Sequence, residues 1–114
     1  MPFVQTRLTV KLNDSQCENL HTKIEEIIKD ELSKPVGYIM VGIEDGYRLY
    51  MGGKHLDRGA MISVQYYGGA SESALNSITA RLCSLLEELF GISPSCVYVT
   101  YQSINDWGFN GRNF

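Results

Sequence analysis

Cysteine is scarce and unhelpfully arranged. The chain has three, Cys17, Cys83 and Cys96, and no two stand at C-x-x-C spacing. An odd count without that spacing argues against a disulfide scaffold, a zinc ribbon and a thioredoxin-type redox motif. All three read as small buried or half-buried thiols without chemistry. A cationic excess is also missing: 10 Lys and Arg against 13 Asp and Glu give a net charge of −3. Nucleic-acid backbones demand clustered cations, so that partner class is disfavoured. No apolar run approaches membrane-spanning length. The start, Met-Pro-Phe-Val-Gln-Thr-Arg, has no basic segment followed by an apolar one. A secretory leader is therefore not expected; the protein reads as cytoplasmic, and any export would be leaderless. There is no G-x-S-x-G, Walker loop, H-E-x-x-H or dinucleotide fingerprint. Neither a metal nor an organic cofactor is expected. The two histidines, His21 and His55, are far apart in the chain and read as solvated surface residues. Gly52-Gly53 and Gly68-Gly69 do not open a helix with a Lys-Ser/Thr pair, so they read as turns.

What remains is ordinary globular usage, 44% apolar and 20% charged over 114 residues. That suits one domain, residues 1–114, with a single core. The patterning switches between two periods. Pro2–Val10 is rich in β-formers. Ser15 with Glu18 matches a capping box. Cys17, Leu20, Ile24, Ile27, Ile28 and Leu32 then recur at spacings of three and four, one face of a helix of about five turns. Glu25 and Lys29 form a supporting pair on the other face. Pro35 stops the helix. Tyr38–Ile43 reads as a strand, Asp45-Gly46 as a hairpin turn and Tyr47–Met51 as a short return strand. Lys54–Arg58 reads as a polar loop and Ala60–Tyr67 as a strand. Ser71 or Ser73 caps a second helix striped by Leu75, Ile78, Leu82, Leu85, Leu86 and Leu89, and Gly91 closes it. Past Pro94, Cys96–Tyr101 is again a strand, and Asn105–Phe114 is an aromatic tail.

The order is one unit repeated, roughly 2–50 and 60–104. Each half runs strand, helix, proline, tyrosine-bearing strand: Pro35 to Tyr38, then Pro94 to Tyr98. Two β-α-β units give an α/β fold, a four-stranded mixed sheet with two helices on one face. Strands Phe3–Val10, Tyr38–Ile43, Met61–Tyr66 and Val97–Tyr101 read as apolar at nearly every position, which implies burial on both faces. One chain covers only one face, so a homo-oligomer is expected.

The unusual feature is the start. Methionine aminopeptidases remove Met before a small residue, which leaves proline as the first residue. Its free nitrogen is a secondary amine and so a base. Burial and a nearby cation both lower an α-amine pKa toward neutrality. That is the range suited to proton abstraction beside a carbonyl. Pro2 leads directly into a strand. Lys34, at the helix-to-strand corner Ser33-Lys34-Pro35, is placed to hold a carboxylate and depress that pKa. Tyr98, Tyr101, Trp107, Phe109 and Phe114 supply aromatic surface late in the chain.

These residues resemble the macrophage migration inhibitory factor and D-dopachrome tautomerase family of the tautomerase superfamily. The resemblance rests on Met1-Pro2; Lys34-Pro35-x-x-Tyr38-Ile39-x-Val41; Gly52-Gly53; Gly68; Ile92-Ser93-Pro94 leading to Val97-Tyr98-Val99; and Trp107-Gly108-Phe109-Asn110-Gly111-x-x-Phe114. It implies a homotrimer with sites at subunit interfaces and keto–enol tautomerisation of phenylpyruvate-like and dopachrome-like carbonyl acids. Pro2 would be the base and acid, and Lys34 the carboxylate anchor. Tyr67 would mark the strand that offers a backbone N–H. Tyr98 would come from an adjacent subunit, and Tyr38, Trp107 and Phe109 would form an apolar rim. Thr100 stands where the family usually has asparagine. Gly59-Ala60-Met61-Ile62 replaces a C-x-x-C motif of the best-known member, so thiol-oxidoreductase activity is not expected. The loop Lys54–Arg58 is one residue longer, and the stretch before Trp107 about two shorter. The family also gives precedent for a cytokine-like ligand of a cell-surface receptor. A non-catalytic binding module is the third reading, favoured if Met1 is retained.

Overall fold

The computed structural model describes residues 1–113; Phe114, the last residue of the tail motif, lies outside the described residues. Strand β1 (Phe3–Leu8) leads into helix α1 (Asp14–Leu32). A 3-10 turn at Val36–Tyr38 follows, then strand β2 (Met40–Glu44) and a small hairpin of β3 (Tyr50–Met51) and β4 (Lys54–His55). The second half runs β5 (Ala60–Tyr66), α2 (Glu72–Phe90), a 3-10 turn at Pro94–Cys96, and β6 (Val97–Ser103). A tail hairpin of β7 (Gly108–Phe109) and β8 (Arg112–Asn113) ends the described chain.

The expected sheet is present: four strands in the order β2-β1-β5-β6. β1 and β2 are parallel, as are β5 and β6, and the two halves meet antiparallel through β1 and β5. Each parallel pair needs a crossover helix, which is what the repeated unit supplies. Both stripes pack as expected. Leu20, Ile24, Ile27 and Ile28 of α1 and Ile78, Leu82, Leu85 and Leu86 of α2 are buried against Val4, Leu8, Ile62 and Val64. Arg81 fastens α2 to α1, donating to Glu31 at 3.0 Å and to Asp30 at 3.2 Å. Arg58 caps the far end of α2 by donating to the Phe90 carbonyl at 2.8 Å, where the helix dipole favours a cation.

Several local expectations are corrected. The cap of α1 is Asn13 with Gln16, not Ser15 with Glu18; each side chain accepts from or reaches the other's backbone N–H, at 2.8 and 2.9 Å. Glu25 accepts from His21 at 2.9 Å and is not paired with Lys29. His21 is accordingly half-buried between Glu18 and Glu25, not a free surface side chain. Asp45-Gly46 does not turn a hairpin. The Asp45 carboxylate accepts from Leu12 N–H at 2.8 Å, and Tyr47 N–H donates to the Leu8 carbonyl at 3.0 Å. The segment is thereby held against the exit of β1. The hairpin comes later, turning at the expected Gly52-Gly53 break, with its second strand at the start of the expected polar loop: Gly52 and Gly53 have φ of 61° and 78°. Positive φ at both central residues is what a tight two-residue turn needs.

The sheet is not apolar on both faces. Val4, Thr6 and Leu8 are buried under the helices, while Phe3, Gln5 and Arg7 alternate onto the bare face. The register continues Gln5 into Ser63 and Thr100, and Phe3 into Gln65 and Gln102. A half-exposed polar row therefore crosses the open face, the alternation of a sheet solvated on one side. The single-chain argument for an apolar second face fails on these residues.

Candidate active site

Pro2 is buried immediately before β1, and its carbonyl accepts from Met40 N–H at 3.0 Å. That bond fixes the first turn of chain against the edge strand β2. Beside it opens a cleft of about 190 Å³ lined by Met1, Pro2, Phe3, Gly37, Tyr38, Ile39, Met40, Trp107, Gly108 and Phe109. The tail supplies one wall. Trp107 Nε1 donates to the Ile104 carbonyl at 2.9 Å, which orients the indole. Tyr38 and Phe109 meet edge to face, centroids 5.9 Å apart at 78°, a preferred aromatic geometry. The Tyr38–Phe109 pair joins the segment after the Lys34-Pro35 corner to the tail, two stretches far apart in sequence.

Lys34 is half-buried, and its ammonium donates to the Tyr67 carbonyl at 3.1 Å. One of its three protons is thus committed, and two remain for an anion. The α-amine of Met1 is held below its ordinary value, chiefly by partial burial and further by the Lys34 charge. The cation therefore acts electrostatically on the chain terminus at this cleft. While Met1 is attached, the Pro2 nitrogen is an amide and has no basic lone pair. Removing Met1 would convert it to an amine and enlarge the cleft that Met1 lines.

The expected residues thus fall into two groups. Pro2, Tyr38, Trp107 and Phe109 share one cleft, and Lys34 and Tyr67 adjoin each other beside it. Tyr98 and Thr100 do not join them. Tyr98 is in register with Met61, which pairs with Arg7, so Tyr98 stands two strand spacings from β1. Arg7 is four residues beyond Phe3, so Tyr98 lies roughly 16 Å from the start of β1 at usual strand spacings. It is 64% exposed and lines a separate pocket of about 110 Å³ with Tyr50, Met51, Leu56 and Cys96. Sequence reasoning did not single out Phe3, Ile39 or Met40 as lining residues. The alternation of β1 after Pro2, and the position of Met40 two residues after Tyr38, were the available signals.

A larger groove, about 380 Å³, lies elsewhere, between α1 and α2, lined by residues such as Lys23, Glu26, Arg81 and Glu88. It is wide, and its Arg81 is already engaged by two carboxylates. Among the described residues no group of three or more His, Cys, Asp or Glu is placed to hold a metal ion. Likewise no described helix is long and apolar enough to cross a membrane. Cys17, Cys83 and Cys96 are free and half-buried, and burial raises the Cys83 thiol pKa.

Known proteins share both sequence and shape with this chain. The model of the macrophage migration inhibitory factor (MIF) family matches residues 1–114. A MIF homolog from Trichinella spiralis is 28% identical over 118 residues, covering 100% of both chains. The crystal structure of Leishmania major MIF2 superposes with a TM-score of 0.92 at 31% identity, covering 100% of this chain and 97% of that one. MIF from Toxoplasma gondii superposes at 0.87 with 26% identity, covering 98% and 99%. The match over every residue, together with the superposition on Leishmania major MIF2, places the chain in the MIF family, within the tautomerase superfamily.

Proposed function

We propose that this protein is a cofactor-independent keto–enol tautomerase for phenylpyruvate-like and dopachrome-like carbonyl acids, with Pro2 as its base once Met1 has been removed. The observation that carries this reading is a buried proline beside an apolar cleft, next to a Met1 amine whose pKa is lowered by burial and then by the Lys34 charge. The neutral Pro2 amine takes a proton from the carbon next to the ketone, and the C–H electrons form the enolate. The protonated amine then returns a proton to the enolate oxygen or, in reverse, to carbon. Lys34 holds the substrate carboxylate through a charge-assisted hydrogen bond. Tyr38, Trp107 and Phe109 exclude water, which favours the neutral amine and strengthens the Lys34 contact.

Tyr98 and Thr100 enter this scheme only from a second copy, so the working form is an oligomer with its sites between subunits, for which the family resemblance implies a homotrimer. Thr100, shorter than asparagine, makes a weaker or water-mediated contact there. The test is direct. N-terminal mass analysis is expected to show Pro2 as the first residue. Pro2→Gly should keep the fold and lose at least about a hundredfold of phenylpyruvate tautomerisation, the low end of general-base catalysis. A retained Met1, or an undiminished rate in Pro2→Gly, would refute the assignment.

Membership of the MIF family supports a second reading beside the first, a cytokine-like ligand of a cell-surface receptor. On that reading the protein resides in the cytoplasm and is also released from the cell. It should then be found outside intact cells, and its Pro2→Gly variant should still bind the cell surface.

A further inference from the structure

We infer that Arg81, on α2, is a positioning residue for Lys34: it holds the end of α1 from which Lys34 leaves, and it occupies two carboxylates there that would otherwise draw the ammonium away. The inference rests on Lys34 being the carboxylate anchor of the Pro2 cleft, as proposed above. Asp30 and Glu31 stand in the last turn of α1, which ends at Leu32. Carboxylates are disfavoured at that end, because the helix dipole is negative there. Their partner comes from the other helix. Arg81 Nη1 donates to Glu31 Oε2 at 3.0 Å, and Nη2 donates to Asp30 Oδ2 at 3.2 Å. The Ser77 hydroxyl, one turn earlier on α2, donates to the same Glu31 oxygen at 2.9 Å. All three bonds lie within one chain.

Only Leu32 and Ser33 separate Glu31 from Lys34, and the link is stiff. Ser33 is left-handed, with φ 54° and ψ 43°, a small allowed region for a residue with a Cβ. Pro35 holds its own φ at −64°. The position of the last helical turn is therefore passed on to Lys34, whose ammonium reaches the Tyr67 carbonyl at 3.1 Å. Without Arg81, two carboxylates at an unfavourable helix end lose their cation. Lys34, three residues on from Glu31, is a cation on a flexible stem close to them in the chain. Its ammonium would then be shared between those carboxylates and the site.

The chain's single tryptophan, Trp107, lines the cleft and reports binding without turnover. Mature wild type and variants are titrated with phenylacetate and with neutral phenylacetamide, following Trp107 emission. The affinity ratio of the two ligands isolates the carboxylate contact. Arg81→Ala should lower that ratio about fivefold, part of the roughly 10- to 100-fold expected of an ammonium–carboxylate contact. Its affinity for phenylacetamide should stay within about twofold of wild type. Arg81→Lys keeps the charge without the fork; it should lower the ratio about twofold, and it decides the matter if Arg81→Ala does not fold. Arg58→Ala loosens α2 at its far end, where Arg58 donates to the Phe90 carbonyl, and should leave the ratio unchanged. In a Lys34→Ala background, removing Arg81 should leave the ratio unchanged too, because a residue acting through Lys34 has nothing left to position. An unshifted ratio in Arg81→Ala, or equal weakening of both ligands, overturns the inference; a ratio lowered by Lys34→Ala alone then keeps the anchor standing. A full Arg81 effect in the absence of Lys34 overturns it as well. A wild type with no preference for the carboxylate removes both the inference and the anchor. Turnover of phenylpyruvate, measured alongside, judges catalysis separately: an Arg81-dependent ratio without turnover sustains the role of Arg81 and refutes the enzyme.

Discussion

Replacing Lys34 by alanine removes two effects at once, and they can be read apart. The first is binding. A hydrogen bond between an ammonium and a carboxylate contributes about 1.5–3 kcal/mol. At 1.4 kcal/mol per tenfold, Lys34→Ala should raise KM for phenylpyruvate roughly 10- to 100-fold. The second is protonation. Lys34 lowers the pKa of the Met1 amine at this cleft, after burial, by disfavouring a second positive charge, and the same charge is expected to act on the Pro2 amine once Met1 is removed. Only the neutral amine is a base, so kcat/KM should climb with pH and level off above the amine pKa. Without Lys34 the ammonium is less disfavoured, the pKa rises, and the acid limb moves to higher pH. The fold should be little affected, because the lost bond to the Tyr67 carbonyl is an exposed one. Lys34→Arg keeps the charge, so its limb should stay near wild type while KM rises for want of fit. The assay is the initial rate of phenylpyruvate tautomerisation from pH 5 to 9 on mature protein. A KM within twofold of wild type would refute the anchor. A limb that stays put or moves downward in Lys34→Ala would refute the electrostatic tuning.

Other consequences are open to measurement. The Thr6 hydroxyl is fully buried and finds no hydrogen-bond partner among the described residues. Thr6→Val removes that desolvated group at nearly constant volume and should stabilise by about 1 kcal/mol, or about 3–5 °C in melting temperature; a fall in urea midpoint would contradict it. His21 is raised above its ordinary pKa mainly by its hydrogen bond to Glu25, then by that to Glu18. Its contribution is fully present below the unfolded value and fades as pH rises through the raised one, so the wild-type advantage over His21→Gln should be greatest near pH 5.5. It should be only a few tenths of a kcal/mol, as for other partly exposed helix pairs; an advantage growing with pH would be the wrong sign. Finally, Pro2→Gly and Tyr98→Ala chains, each weakly active alone, should regain activity when co-refolded, because mixed assemblies contain sites with intact Pro2 and Tyr98. Failure to complement would place Tyr98 outside the working site.

The helices were the most legible part of the sequence because a stripe spaced by three and four has one physical meaning. Leu20, Ile24, Ile27 and Ile28 are buried as that spacing requires. Caps and turns were harder, because they are decided by competing local bonds. Asn13-x-x-Gln16 and Ser15-x-x-Glu18 overlap by two residues, and the upstream box is the one formed. Asp45-Gly46 has hairpin chemistry, but Leu12 and Val10, distant in sequence, claim its polar groups. The polar alternation Gln5, Arg7, Ser63, Gln65 was present in the sequence, yet the richness in β-formers obscured it. At the site, Pro2, Lys34 and the tail aromatics could be read from residue type and spacing. Met40 could not, since nothing in a methionine's identity reveals that its N–H holds the proline carbonyl.

The layout of the sheet also has a quantitative side. Met40 and Pro2 lie at one margin, on β2 and at the head of β1, and Tyr98 lies on β6 at the other. No twist of a solitary polypeptide brings those margins together. Any chemistry that uses both must vary with protein concentration as a stoichiometric event. Specific activity would hold constant down to a threshold and then collapse on further dilution, and a crowded compartment and a dilute fluid would host different molecules from the same gene.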